Sequence, residues 1–276
     1  MTDVPMATEP EGPSKRVGPR RMRNLALGVV ALGVGAAGVF AWTQVKPVVE
    51  SRKYASVTYE VPAAPKLTPA AGETLLRIDP SKSSLTYEVD EELAGQKTGT
   101  ATGVTNAIAG DLAVNTGALE KSRVGPIVAN IEQFTSNNNL RDARIRQDFL
   151  KSHKFPLAKV AIEDINGLSG KLEEGHTYTF TMDGFVTVKE TPATATFDVT
   201  ATMSGGRLTA TATTMAKLSR FDAGPISIAG LVRTKDDVRL TLKFTALDPA
   251  TNTIPTTITG PDQVDTNSGD VPSYER

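Results

Sequence analysis

The residue types that usually carry chemistry are few in this chain and widely spaced. It has no cysteine and only two histidines, His153 and His176. Thiolate metal sites, disulfides and cysteine nucleophiles are therefore excluded, and the histidines do not form a ligand pair. Asp90, Glu91 and Glu92 are a consecutive acidic run, which reads as a solvated turn. No serine stands in a nucleophile elbow, and Gly99, Gly103 and Gly110 lack the spacing of a phosphate-binding loop. This pattern points away from an enzyme and from a metal centre. The densest polar group is Arg141-Asp142 with Arg144. These side chains suit either a polar or phosphorylated head group or, as the weightier reading, pairing and capping around a helix. The net charge is −1, with acids and bases interleaved along the body, and aromatics make up 5% of the chain. Neither a phosphate-tracking patch nor a stacking platform results, so nucleic acid is not an expected partner.

The elements that must position these residues are mostly strands. The chain has 276 residues, enough for one sizeable domain with appendages. Leu85, Tyr87 and Val89 alternate with Ser84, Thr86 and Glu88. The same period of two runs through Ile108, Gly110, Leu112 and Val114, and again through Tyr178, Phe180 and Met182. It returns at Phe197, Val199 and Ala201, and at Val238, Leu240, Leu242 and Phe244. Such alternation marks antiparallel sheet with one buried face. Ser204-Gly205-Gly206 predicts a hairpin turn, Lys235-Asp236-Asp237 a second turn, and Gly184 a bend or bulge. Leu140 to Leu150, after Asn137-Asn138-Asn139, predicts a short helix with Leu140, Ala143, Ile145 and Phe149 on its apolar stripe. Pro156 then returns the chain to extended form. Many amphipathic strands with one helix predict an all-β domain closed into a barrel, which removes the sheet edges.

The flanks read differently. Asn24 to Trp42 has no charged residue, and as a helix it would span about 28 Å, close to a bilayer's hydrocarbon core. Lys15, Arg16, Arg20, Arg21 and Arg23 precede it, which places the amino terminus in the cytoplasm. The expected organisation is a basic cytoplasmic leader (1–23), a transmembrane signal anchor (24–43) and a Pro/Ala-rich linker (44–72). A β-barrel domain (73–247) and a disordered tail (248–276) follow. Tyr54 to Val61 is a candidate short strand within the linker. The competing reading is a signal peptide cleaved near Val39-Phe40-Ala41, which would leave a secreted domain. Either way the barrel is expected outside the cytoplasm, on a single-pass anchor at the cell membrane or free of it.

The body resembles the YceI-like, polyisoprenoid-binding, lipocalin-like family. The resemblance rests on Ile78-Asp79-Pro80 followed by SSLTYEV, on AIAGDLAVN, and on NNNLRDARIRQDFLKSHKFPLAKVAI. It continues through YTFTMDGFVTVKETPATATFDVTATMSGGRLTATATTMAKLSRFDAG to DDVRLTLKFTAL. Its most specific part is Arg141-Asp142, Arg144-Ile145, Asp148-Phe149-Leu150 and Phe155-Pro156. Where the family often has a histidine two positions after Arg-Asp, this chain has Arg144. The resemblance implies an extended eight-stranded antiparallel barrel with one short helix across it. It also implies export, and an isoprenoid lipid or quinone bound inside, with no other cofactor. A single amino-terminal span is an addition to the family's usual exported form.

On this reading the lining is the apolar strand face: Leu85, Tyr87, Val89, Ile108, Leu112, Phe180, Met182, Phe197, Val199, Leu240, Leu242 and Phe244. An eight-stranded barrel is wide enough to be filled by its own side chains or to hold one slender ligand. Burying a five-carbon isoprene unit contributes roughly 3 kcal/mol gross, at about 0.8 kcal/mol per methylene. Association costs roughly 4–15 kcal/mol, so the tail must be several units long to bind. Two other functions compete: a surface interaction module whose barrel is self-filled, and an enzyme acting on an isoprenoid lipid. The first predicts a filled interior, the second an inward polar group with a perturbed pKa.

Overall fold

The structure is a computed structural model and describes residues 56–93, 97–228 and 232–261. The predicted leader and signal anchor, with the first part of the linker, lie outside the described residues. Among the described residues no helix is long and apolar enough to cross a membrane.

The long strands follow the alternation. β9 (Leu157–Asn166), β10 (Thr177–Val188), β11 (Thr191–Ser204), β12 (Arg207–Lys217) and β14 (Val232–Leu247) pair antiparallel in that order. β10 passes to β11 through Lys189 and Glu190, both at positive φ, and β11 to β12 through Gly205 and Gly206, also at positive φ. Positive φ at both central positions matches the right-handed twist of the flanking strands. Glycine adopts it freely. At Lys189 it is held by the side chain, whose ammonium donates to the carbonyl oxygens of Phe149 (3.0 Å) and Asp222 (2.5 Å).

The other wall is built from two interrupted strands. β2 (Glu73–Ile78) and β3 (Ser84–Leu93) flank a 3₁₀ turn at Pro80–Lys82, and both pair with β14. β4 (Lys97–Thr105) pairs with β3, and β6 (Asp111–Asn115) pairs with β2. β5 (Ile108–Ala109), one glycine before β6, pairs with β8 (Ile127–Asn130), and β8 pairs with β9. β7 (Arg123–Val124) pairs with β6, and the short β13 (Ser227–Ile228) with the start of β14. The ladder thus runs β8-β9-β10-β11-β12-β14-β2-β6 and returns through β5 to β8. The curled antiparallel sheet closes on itself, as the all-β reading expects.

Gly184 does produce a bulge: the register against β9 shifts between Asp183 and Gly184, and a Cβ there would collide with the Ala161 carbonyl oxygen. Lys235-Asp236-Asp237, predicted as a turn, is instead a bulge within β14, because Thr234 and Val238 both remain paired to β3. The extruded residues are held from outside: Ser219 donates its amide (2.8 Å) and hydroxyl (2.7 Å) to Asp236, and Lys217 pairs with Asp237 at 2.7 Å. Those Ser219 hydrogen bonds hold the Asp236 carboxyl below its ordinary value.

The predicted helix is present but its phase differs. α1 (Asn139–Arg144) begins where the Asn138 side chain caps the Arg141 amide at 3.1 Å, then widens into a π turn at Ile145–Phe149. The buried residues are Asp142 and Arg146, whereas Leu140, expected on the apolar stripe, is 73% exposed.

Both flanks are more ordered than their composition suggests. Leu67, in the linker, donates its amide to Asp111 (3.2 Å), and Thr68 accepts from Arg123 (3.0 Å). That part of the linker is a strap bound to the barrel wall. β1 (Ser56–Glu60) pairs along its length with β15 (Thr257–Pro261) in a separate two-stranded ribbon. Residues expected to be disordered tail therefore form a strand, since Thr257-Ile258-Thr259 supplies β-branched side chains and the linker's candidate strand supplies the partner.

Candidate functional site: an apolar cavity in one half of the barrel

Inward residues of β6, β10, β11, β12 and β14 surround a cavity of about 770 Å³, measured with its mouth. Leu112, Phe180, Met182, Val199, Leu242 and Phe244, all expected as lining, face it. Its rim carries Ser122 and Arg123, and the remaining wall is almost wholly apolar. The Ser122 hydroxyl accepts from the Asn115 amide at 3.0 Å. Arg123 donates to both carboxylate oxygens of Glu73, at 2.9 and 2.6 Å. These hydrogen bonds hold the Glu73 carboxyl at about 2, well below its ordinary 4.5.

One loop contributes to the lining. Residues Gly167 to His176 join β9 to β10, and Leu168 and Leu172 within it line the cavity. Gly170 accepts from the Leu119 amide (2.7 Å), and Leu172 donates to the Thr116 carbonyl (2.9 Å). On the other side Gly175 donates to the Met203 carbonyl (2.8 Å), and the Glu174 carboxylate accepts from the Gly205 amide. Tyr178 closes the loop on itself, accepting from the Glu173 amide (2.8 Å) and donating to the Lys171 carbonyl (3.2 Å).

The other expected lining residues belong to packed core. Ile108 and Phe197 are buried in the main cluster. Tyr87 and Val89 form a second cluster with Ile131, Phe134, Ala158 and Val238. Leu85 and Leu240 are partly buried and touch both. The Tyr87 ring meets Phe134 edge-on at 5.0 Å and lies where a Cβ on Gly103 would have to be. Burial raises the Tyr87 phenol far above its ordinary value.

Arg141, Asp142 and Arg144 are not in the cavity wall. Asp142 is buried and accepts from the Ser136 amide (2.8 Å) and hydroxyl (2.6 Å), fixing the loop before α1. Arg141 pairs with Glu91 at 3.5 Å. Arg146, absent from the sequence reading, is buried and donates to the Phe134 carbonyl at 3.0 Å, and desolvation lowers its pKa. Asp142 and Arg146 thus tie the helix to the loop before it and to the turn after β8.

Sequence reasoning passed over Leu119, Val124, Leu168 and Leu172, which line the cavity from turns and short elements. Val114, Tyr178 and Ala201 lie on the alternating series, so the period of two already pointed to them. Among the described residues no cluster of three metal-ligating side chains occurs.

The family model for the YceI-like domain matches residues 76–246. No curated protein matches the sequence. Three of the similar solved structures illustrate how low the identity is. BcnA from Burkholderia cenocepacia is 15% identical, with TM-score 0.48, covering 61% of this chain and 98% of its own. A polyisoprenoid-binding domain from Saccharophagus degradans, implicated in plant cell wall breakdown, is 11% identical, with TM-score 0.49 and coverage of 64% and 99%. A YceI protein from Campylobacter jejuni is 14% identical, with TM-score 0.40 and coverage of 68% and 91%.

Proposed function

Because the chain belongs to the YceI-like family, we propose that it binds a long apolar lipid, an isoprenoid or the tail of an isoprenoid quinone, inside its barrel. The apolar cavity carries this reading. Its lining is almost wholly apolar with a few polar groups, the composition typical of ligand-holding clefts. Its walls offer an apolar tail dispersion contacts and a place away from water, while polar groups gather at the rim. Tail burial supplies affinity, and Ser122 and Arg123 stand where a head group would emerge. The wall holds no carboxylate, histidine or lysine, which supports binding over catalysis. We further propose that Asn24 to Trp42 anchors the chain in the cell membrane, with the barrel on the extracytoplasmic side. A self-filled interaction module would match only the packed half of the barrel.

The test is native mass spectrometry of the full chain after expression, followed by solvent extraction. A co-purifying polyprenyl lipid or quinone is the expected result. Protein that is empty as isolated and takes up no added polyprenol would overturn the reading.

A further inference from the structure

We propose that Phe197 sets the length of apolar chain the cavity accepts, a proposal that rests on the lipid-binding reading. Along β11 the inward positions are Ala193, Ala195, Phe197, Val199, Ala201 and Met203. Val199, Ala201 and Met203 line the cavity, and the next inward residue, Phe197, is buried just beyond the lining. Phe197 stands opposite Met182 on β10, and the next inward rung is Ala195 opposite Gly184. That one rung carries the smallest side chains, and the rung after it pairs Val186 with Ala193. At the Ala195–Gly184 rung the Ala161 carbonyl takes the place a Cβ on Gly184 would fill, so the Phe197 ring is the last side chain whose removal frees space along these strands. On the facing side Thr214, opposite Leu240, occupies the rung beyond Ala212 and Leu242, the last β12–β14 pair to line the cavity.

A tail entering from the mouth would extend until its end methyls meet the Phe197 ring. In a tight apolar pocket one methylene too many or too few changes discrimination by about 10–200-fold, so the ring acts as a sharp cut-off. Moving the ring by one inward position shifts it two residues along the strand, about 7 Å, on the order of one isoprene unit.

The test incubates the full-length protein with a graded series of all-trans polyprenols and reads the longest one retained by native mass spectrometry. Phe197→Ala should raise that limit by at least one isoprene unit, and the milder Phe197→Leu should retain the first polyprenol beyond the wild-type limit. Val199→Phe should lower the limit by at least one unit. Circular dichroism selects the variants that fold, and any one of the three decides the matter. An unchanged limit in a folded variant, or a wild type with no upper limit, overturns the proposal while leaving lipid binding intact. A wild type that retains no polyprenol removes the lipid-binding reading itself, and the length limit with it.

Discussion

The two halves of the barrel interior share one strand pattern and differ in what enters from outside it. On the side away from the cavity, short irregular elements deliver bulk: Ile131 and Phe134 from the turn after β8, and Phe221 from the turn after β12. Leu150 follows the π turn and packs against both clusters. On the other side the irregular elements bring Leu119, Leu168 and Leu172, which line the cavity without filling it. Alternation along a strand decides which face a side chain takes. It does not decide whether the space on that face is filled, because filling depends on residues arriving from the barrel's ends.

If this contrast is right, the halves should respond differently to the same kind of truncation. Phe134→Ala in the packed half should cost about 3–5 kcal/mol, as expected for opening a cavity in close-packed core. Phe180→Ala in the hollow half should cost about 1–2 kcal/mol, since its ring is only partly buried beside space already empty. Urea unfolding of both variants, compared without lipid, measures the difference, and equal costs would erase the distinction.

A smaller effect tests the packed half by adding atoms. Gly103→Ala places a methyl group where the Tyr87 ring lies, so Tyr87 must move against Phe134. The expected loss is about 1–3 kcal/mol, and in the double variant with Tyr87→Ala the added methyl should cost nothing further. Thermal denaturation of the single and double variants checks that cycle.

The smallest change belongs to the rim of the hollow half. The folded pKa of Glu73, about 2, lies below its ordinary 4.5. Its ionised form therefore stabilises the fold fully above about 4.5, and that contribution fades as pH falls toward 2. Arg123→Ala should return the Glu73 carboxyl toward 4.5 in an NMR titration, with the packed half unmoved. A value that stays near 2 would show that Arg123 is not what holds it.

The strands and the sense of each face were legible because a period of two reports burial directly. The apolar wall from Leu112 to Phe244 was found this way. The helix phase was not legible: Asp142 and Arg146, four residues apart on one face, are drawn inward by Ser136 and the Phe134 carbonyl, which leaves Leu140 exposed. Lys235-Asp236-Asp237 has the composition of a turn, yet pairing to β3 resumes at Val238, so the segment is taken up as a bulge in one continuous strand. Leu168 and Leu172 sit in a glycine-rich loop with no period, so nothing local marked them as lining. Tyr87 and Val89 face inward as expected. That they meet Phe134 and Ile131, and so pack instead of lining a hollow, depends on elements some 40 residues away in the chain.

The ribbon of β1 and β15 bears on how the molecule would answer a pull. Ser56 pairs with Pro261 and Glu60 with Thr257, so the chain enters and leaves the ribbon side by side at the same end. Tension applied between the two termini would part these rungs one after another, like a zipper, before any load reached the barrel. A shear geometry would instead have to break them together. The ribbon would thus yield first, leaving the barrel and whatever it holds undisturbed.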